Sequence, residues 1–219
     1  MPFPTTRRSI VLALASDDDA ERARALETVL ELYLRPLCTY ARLAHTRAPI
    51  EAEDLTQSFL ARVLEKEALA SYDPGRGTFR TFLRTLFDRH VANEIKAAFR
   101  LKRGGGSNEI EFAPHTKSPE ELFQDEWARS VFTLAVDRLR ERIAQNDFAL
   151  FEAFDLDDSN RPSYREMGER FGMNVTTVTN RLASARRKFR ECVLEILREA
   201  TASEREYRSE VRALLGVEL

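Results

Sequence analysis

The segment from Ser163 to Arg190 constrains the fold most strongly, because its polar residues mark where helices begin and end. Ser163 and Glu166 have the capping-box spacing that starts a helix. Gly172 stands where that helix must end, since glycine adopts a left-handed backbone at no steric cost, and Asn174 is a good N-cap for a second helix. The pattern predicts two helices joined by a tight turn, as in helix-turn-helix proteins that bind DNA.

The second of these helices has an apolar face and a polar face. Its apolar residues recur at helical spacing and are Val175, Val178, Leu182, Ala185 and Phe189. Its outer face carries Thr176, Thr177, Thr179, Asn180, Arg181, Ser184, Arg186, Arg187 and Lys188. Small hydroxyl and amide groups can approach base edges, and arginines can reach phosphates. The alternative is an ordinary helical hairpin whose basic face is only solvated.

The distribution of charge supports a nucleic-acid partner, although the chain as a whole is not basic. The formal net charge is −2, so any such binding must rest on local asymmetry. Bases outnumber acids from Arg76 to Arg103 and again from Arg161 to Arg190, whereas acids concentrate elsewhere. Two separate basic surfaces predict two contacts with one extended polyanion.

Helical periodicity runs through the remainder, and no strand pattern emerges. Leu55, Phe59 and Val63 form one stripe, and Thr78 is a candidate cap for a long helix ending near Arg100. We therefore predict an all-α fold with two helical domains. The predicted boundaries are 1–103 for the first domain, 104–118 for a flexible linker, 119–200 for the helix-turn-helix domain and 201–219 for a charged C-terminal extension that forms an exposed helix.

Enzymatic constellations are not recognisable. The histidines are scattered and no zinc-ligand or nucleophile motif occurs, so we expect no catalytic residues, no metal and no cofactor. Cys38 and Cys192 are far apart and are interpreted as reduced thiols. No stretch is long enough to span a membrane, which predicts a cytoplasmic protein without a membrane partner.

Two groups of motifs together resemble a known family. Glu53-Asp-Leu-Thr-Gln57 and Tyr72-Asp-Pro-Gly-Arg-Gly-Thr-Phe-Arg80, followed by a basic helix, resemble region two of the extracytoplasmic-function sigma factors. Ser163 to Phe171 and Val175 to Arg190 resemble region four of the same family. The start of the chain and Lys102-Arg-Gly-Gly-Gly106 are similar to a subgroup common in planctomycetes and related bacteria.

The resemblance implies a bacterial transcription initiation factor whose partners are the RNA polymerase core enzyme and promoter DNA. The residues implied for binding core polymerase are Glu53, Asp54, Thr56 and Gln57. Those implied for opening the promoter near the start site, with one flipped base in a pocket, are Arg80, Arg84, Arg89, Asn93, Lys96 and Arg100. Those implied for reading the farther upstream element are Thr176, Thr177, Thr179, Asn180, Arg181 and Ser184, with Arg187 on a phosphate.

The resemblance also suggests how such a factor is controlled. Many family members have an acid directly after the glutamine of the first motif, where this chain has Ser58. Phosphorylation of Thr56 would add about 1.5 to 2 negative charges to that surface. A serine/threonine kinase or an anti-sigma factor is therefore an expected partner. The opposing interpretation is that the Thr56 hydroxyl bonds back to its own helix.

Two other classes of protein remain as alternatives. A stand-alone helix-turn-helix regulator would use its first half for a ligand or for dimerisation, although no heptad seam is present to form a dimer. The second alternative is an adaptor of polymerase or of a signalling pathway, without promoter activity. In that case the basic surfaces would have no role in binding DNA.

Overall fold

The computed structural model describes residues 13–14, 16–45, 48–63, 71–73, 75–101, 117–157 and 162–217. These residues form eight α-helices and one turn of π-helix, with no strand among them, and the predicted all-α fold is confirmed. The helices are α1 (Asp19–Ala44), α2 (Ala52–Val63), α3 (Phe79–Leu101), α4 (Pro119–Arg142), α5 (Gln145–Phe151), α6 (Tyr164–Phe171), α7 (Val175–Ala200) and α8 (Glu204–Leu215). The π-turn, Glu152–Leu156, follows α5 directly. No helix in these ranges is both long and apolar enough to cross a bilayer.

The chain divides into two compact units. The first unit comprises Met1–Ser130 and Leu197–Leu219, and the second unit comprises Val131–Ile196. The division falls inside α4 and α7, whereas the sequence predicted boundaries at residues 119 and 200. Phe123 and Trp127 of α4 account for part of the difference, because they are buried against Tyr40 and Arg80 of the first unit. The predicted linker lies outside the described residues except for Lys117 and Ser118.

The core of the first unit is rich in aromatic side chains. Tyr33 and Tyr40 of α1, Phe59 of α2, and Phe79 and Phe87 of α3 are almost fully buried. The rings of Phe59 and Phe87 meet edge-on with centroids 5.1 Å apart, a favoured geometry for aromatic pairs. This packing places α3 across α1 and α2 and determines which of its faces is left outside.

Helix α8 closes the first unit, and this differs from the sequence prediction. A helix was predicted after Thr201 and is present, but the prediction that it is exposed is wrong. Glu206, Tyr207, Glu210 and Val211 are all buried. Tyr207 and Val211 are the buried hydrophobic residues of a short stripe that the half-buried Leu214 and Leu215 continue, and charged residues surround it in the sequence.

The second unit is built around α7. Val178, Leu182 and Ala185 are buried along one face of this helix, as predicted from their spacing, and Phe189 is half-buried. Val175 was predicted on the same apolar face but is 48% exposed, because it is the first residue of the helix. The packing of α7 is reinforced by Arg186, which donates to both Asp155 carboxylate oxygens at 2.8 and 2.9 Å. Arg186 was predicted on the outer basic face, and its side chain is 40% exposed, but the π-turn brings Asp155 within reach and its guanidinium is already engaged.

Candidate nucleic-acid interface

Helix α3 presents a straight row of polar side chains to solvent. Arg89, Asn93, Lys96 and Arg100 are all exposed, and their spacing of four, three and four residues puts them on one helical face. We call this row the Arg89 stripe. Its three cations form no ion pair with any residue that the structure describes. They are therefore available to bind phosphates.

A cavity of about 390 Å³ borders the N-terminal end of this face. Tyr72 and Phe82 contribute rings whose centroids are 5.1 Å apart, and the Tyr72 hydroxyl donates to the Gly77 carbonyl at 3.2 Å. The remaining wall is mixed and comprises Ser71, Asp73, Arg76, Gly77, Thr78, Thr81, Thr85, Leu86 and Arg89. We call this the Tyr72 cavity. Its aromatic wall and polar edge suit a flat heterocycle.

A second cavity of about 200 Å³ shares Leu86 and Arg89 with the first. Its other lining residues are Phe59, Arg62, Val63, His90 and Asn93. His90 Nε2 lies 2.8 Å from Ser58 Oγ. Burial lowers the pKa of His90, and nearby Arg62 acts in the same direction against the opposing effect of Glu94. A neutral imidazole is therefore favoured at this position.

Arg80 and Arg84 do not belong to the Arg89 stripe. They lie on the opposite face of α3, and their side chains are only 13% and 18% exposed. Arg80 lies 4.5 Å above the Trp127 ring and pairs with Glu210 at 3.2 Å. Arg84 donates to Asp88, which also accepts from the Tyr40 hydroxyl. The prediction that these two arginines contact DNA is wrong, because the folded first unit encloses them.

Sequence reasoning missed the contribution of α8 to this region. The Glu206 carboxylate accepts hydrogen bonds from the Phe79 amide at 2.6 Å and from the Ala202 amide at 2.8 Å. It also accepts from the Tyr72 hydroxyl at 3.4 Å. The spacing of Glu206 and Glu210 beside Tyr207 and Val211 was the available signal, since it places the two acids next to the apolar stripe.

The outer face of α7 is confirmed only in part as an exposed polar face. Thr176, Thr179, Asn180, Arg181 and Arg187 are exposed, while Thr177 and Ser184 are half-buried. Thr176, Asn180, Ser184 and Arg187 share one helical face, opposite the buried stripe. Thr179 donates to the Val175 carbonyl at 2.9 Å, and Arg181 donates to Asp147 at 2.8 Å. These two side chains are thus already engaged.

The turn between α6 and α7 has the chemistry that the sequence predicts. Ser163 and Glu166 form a reciprocal capping box, and Gly172 is left-handed at φ 65°. The Asn174 side chain accepts from the Thr177 amide at 2.7 Å, which caps α7. A Cβ on Gly168 would lie 2.6 Å from the Met173 carbonyl oxygen, so the close approach of α6 to the turn that follows it requires glycine there.

The α2 surface differs from the prediction at one residue. Glu53, Asp54 and Gln57 are exposed, and Arg42 of α1 donates to Glu53. Thr56 is only 1% exposed, and its hydroxyl donates to the Ala52 carbonyl at 2.7 Å. The predictions that Thr56 contacts a partner and is phosphorylated are wrong for the folded chain, because the hydroxyl is enclosed and already bonded.

These features define an all-α protein with two exposed basic helix faces, one of which borders two cavities. Residues 29–100 match the family model described as Sigma-70 region 2. The match covers about a third of the chain and includes most of α1, all of α2 and nearly all of α3. The predicted resemblance to region two is confirmed over this segment. A comparison with curated proteins finds no match.

Proposed function

We propose that this protein is a bacterial sigma factor, which binds core RNA polymerase and directs promoter recognition, strand opening and transcription initiation. The proposal rests on the fact that two features occur in the same segment, the family match and an exposed basic face with cavities. The segment similar to Sigma-70 region 2 is the segment whose outer face holds the Arg89 stripe and both cavities. The motifs of the first and second halves favour the extracytoplasmic-function group and its planctomycete-type subgroup within the family.

The cavities offer the chemistry that strand opening requires. Separating promoter strands costs about 1.4 kcal/mol of stacking per base step. Captured bases can offset that cost when they stack on aromatic rings and when cations bind the strand between them. In this protein the Tyr72 cavity would take an unpaired base, and Arg89, Lys96 and Arg100 would bind the phosphates of the same strand.

The α6–α7 hairpin would act as a helix-turn-helix that reads the farther upstream element. The exposed Thr176 and Asn180 share one face of α7 with the half-buried Ser184, and all three are short enough to approach base edges in the major groove. Arg187 lies farther along the same face and would bind a phosphate. Arg181 would contribute only after exchanging its bond with Asp147 for one with DNA.

The α2 surface would bind the polymerase. Glu53, Asp54 and Gln57 are exposed in one short stretch, and their acidic character suits a basic partner surface. Because Arg42 already pairs with Glu53, Asp54 carries the larger share of the uncompensated charge in this proposal.

Transcription in a purified system tests the proposal. The chain is mixed with bacterial core polymerase and genomic fragments of its source organism, and transcript starts are mapped. We expect discrete starts only when chain and core are both present. The double variant Arg89→Ala/Lys96→Ala should lose them, and Arg24→Ala, at an exposed residue of α1, should not. Absence of any start, together with tight binding of the isolated chain to one duplex sequence, would instead favour a stand-alone regulator.

A further inference from the structure

Glu206 joins α8 to the part of the first unit that lines the Tyr72 cavity. The residue is 7% exposed, and its carboxylate accepts three hydrogen bonds. One donor, the Phe79 amide, is the first residue of α3. Another is the hydroxyl of Tyr72, the aromatic wall of the cavity. The third, Ala202, precedes α8 itself.

Two of these hydrogen bonds involve residues at the cavity, namely Phe79 at the start of α3 and Tyr72 in the cavity wall. The first amides of a helix have no partner within the helix, and a carboxylate there also suits the helix dipole. Thr78 satisfies the Thr81 amide, and Glu206 satisfies Phe79. The Tyr72 ring lies between Phe79 and Phe82, with centroids at 5.4 and 5.1 Å, and its hydroxyl is shared between the Gly77 carbonyl at 3.2 Å and Glu206 at 3.4 Å.

We propose that α8 sets the shape of the Tyr72 cavity and that Glu206 is a positioning residue for capture of an unpaired promoter base. This inference rests on the proposed function. Helix α8 lies outside the segment similar to Sigma-70 region 2. The Glu206 contacts that support the cavity wall therefore come from outside that segment. Glu206 does not reach the base; it holds the Tyr72 ring and the start of α3 where a base can stack.

Other contacts anchor α8 independently of Glu206. Glu210 pairs with Arg80 at 3.2 Å, and Arg198 lies 4.1 Å above the Tyr207 ring. Tyr207 and Val211 are buried. A variant at Glu206 is therefore expected to keep α8 in place and to change only the loop and helix start that Glu206 holds.

Amide hydrogen exchange on the isolated full chain gives the first test. Glu206→Ala should speed exchange from Gly75 to Phe82 by about tenfold or more, because the Phe79 amide loses its acceptor and the Tyr72 hydroxyl keeps only the Gly77 carbonyl. Glu206→Gln should restore part of the protection, since its carbonyl oxygen can still accept from Phe79. The matched control is Glu204→Ala; the Glu204 side chain is 55% exposed and pairs with Arg198 and Arg208. Unchanged exchange in Glu206→Ala would overturn the positioning role whatever the protein does.

Binding by the holoenzyme gives the second test. Full-length variants are assembled with core polymerase and titrated with short single-stranded oligonucleotides of randomised sequence. We expect Glu206→Ala to bind the strands about tenfold more weakly than wild type, Glu206→Gln to lie between them, and affinity for core to change less than about twofold. Equal strand binding, or a parallel loss of core binding, would overturn the inference. Failure of the wild-type chain to direct initiation would instead refute the proposed function, and the exchange result would stand apart from it.

Discussion

The buried pair of Arg80 and Glu210 shows how charge in a sequence can mislead about exposure. The two side chains meet at 3.2 Å, and Glu210 is 3% exposed. Arg80 Nη1 and Glu210 Oε2 are buried without a hydrogen-bond partner among the described residues. Burial raises the pKa of Glu210 against the opposing effect of Arg80. The pair therefore costs desolvation that its attraction only partly offsets.

Removing one partner of this pair should lower the free energy of unfolding more than removing both. Glu210→Leu leaves Arg80 buried without a counter-charge and should lower the free energy of unfolding by about 3–5 kcal/mol. The double variant Arg80→Met/Glu210→Leu removes both charges and should come within about 1 kcal/mol of wild type. Urea denaturation of the three proteins measures this. A double variant as unstable as the single one would mean that the pair itself stabilises the first unit.

His90 predicts a pH dependence of stability. Burial lowers the pKa of His90 below its ordinary value of 6.5. The unfolded chain therefore takes up this proton first as the pH falls, and the free energy of unfolding should decrease below about pH 6.5. His90→Gln keeps a partner for Ser58 and should flatten the decrease between about pH 7 and pH 5. Denaturant midpoints across this range provide the measurement; identical pH profiles for both proteins would exclude His90 as the cause.

At the scale of elements, the α6–α7 turn depends on one glycine for helix approach. Gly168→Ala would place a Cβ 2.6 Å from the Met173 carbonyl oxygen, which is backbone and cannot rotate away. We expect a loss of about 1–3 kcal/mol of stability in the second unit, together with weaker binding of upstream DNA. Gly77→Ala, where the new Cβ would meet nothing within 4 Å, is the matched control and should change stability by less than about 0.5 kcal/mol.

Substitutions on α7 should distinguish residues that read the base sequence from residues that bind phosphates. Asn180→Ala should change which upstream sequence the holoenzyme prefers, at a cost of about 1–3 kcal/mol in discrimination. Arg187→Ala should weaken all sequences about equally and lower the salt slope by roughly one phosphate. Arg181→Ala should change the sequence preference less than Asn180→Ala does, because the Arg181 guanidinium already donates to Asp147. Promoter-library selection at several salt concentrations tests all three, and uniform losses throughout would show that α7 uses another face.

Features that depend on nearby residues could be predicted from the sequence, whereas features that depend on packing between distant elements could not. The capping box, Gly172 and the buried stripe of α7 follow from spacings within a few residues. The burial of Thr56 was also accessible, because Ala52, Thr56 and Leu60 recur at intervals of four on the buried side of α2. The π-turn that brings Asp155 to Arg186 has no comparable signal, since it depends on where two separate elements meet.

At the scale of the molecule, the first unit is discontinuous in sequence. Its N-terminal helices are completed by α8, and the contact between Glu206 and Phe79 joins residues 127 positions apart. The local spacing indicates that α8 is amphipathic but not what it packs against, because an acidic amphipathic helix fits a solvated surface as well as a buried one. The candidate site was therefore predictable along α3 from Arg89 to Arg100, whereas its support from α8 was not.

Removal of residues 201–219 should affect the first unit selectively. The truncated chain loses the burial of Tyr207 and Val211 and leaves Arg80 unpaired, so we expect a loss of more than about 3 kcal/mol there. Trp127, the single tryptophan, lies on Arg80 and reports on this unit. Its fluorescence transition should move to lower denaturant while part of the helical circular-dichroism signal persists. Coincident, unshifted transitions would contradict this prediction.

The distance along the sequence between Phe79 and Glu206 also has a consequence for synthesis. The ribosome releases α3 well before the carboxylate that caps it, so the cavity is unfinished until α8 has also emerged. We expect nascent chains that stop short of α8 to stay protease-sensitive around Phe79, and full-length released chains to become resistant. Incomplete products would then be degraded before they could occupy polymerase, and only finished molecules would compete for it.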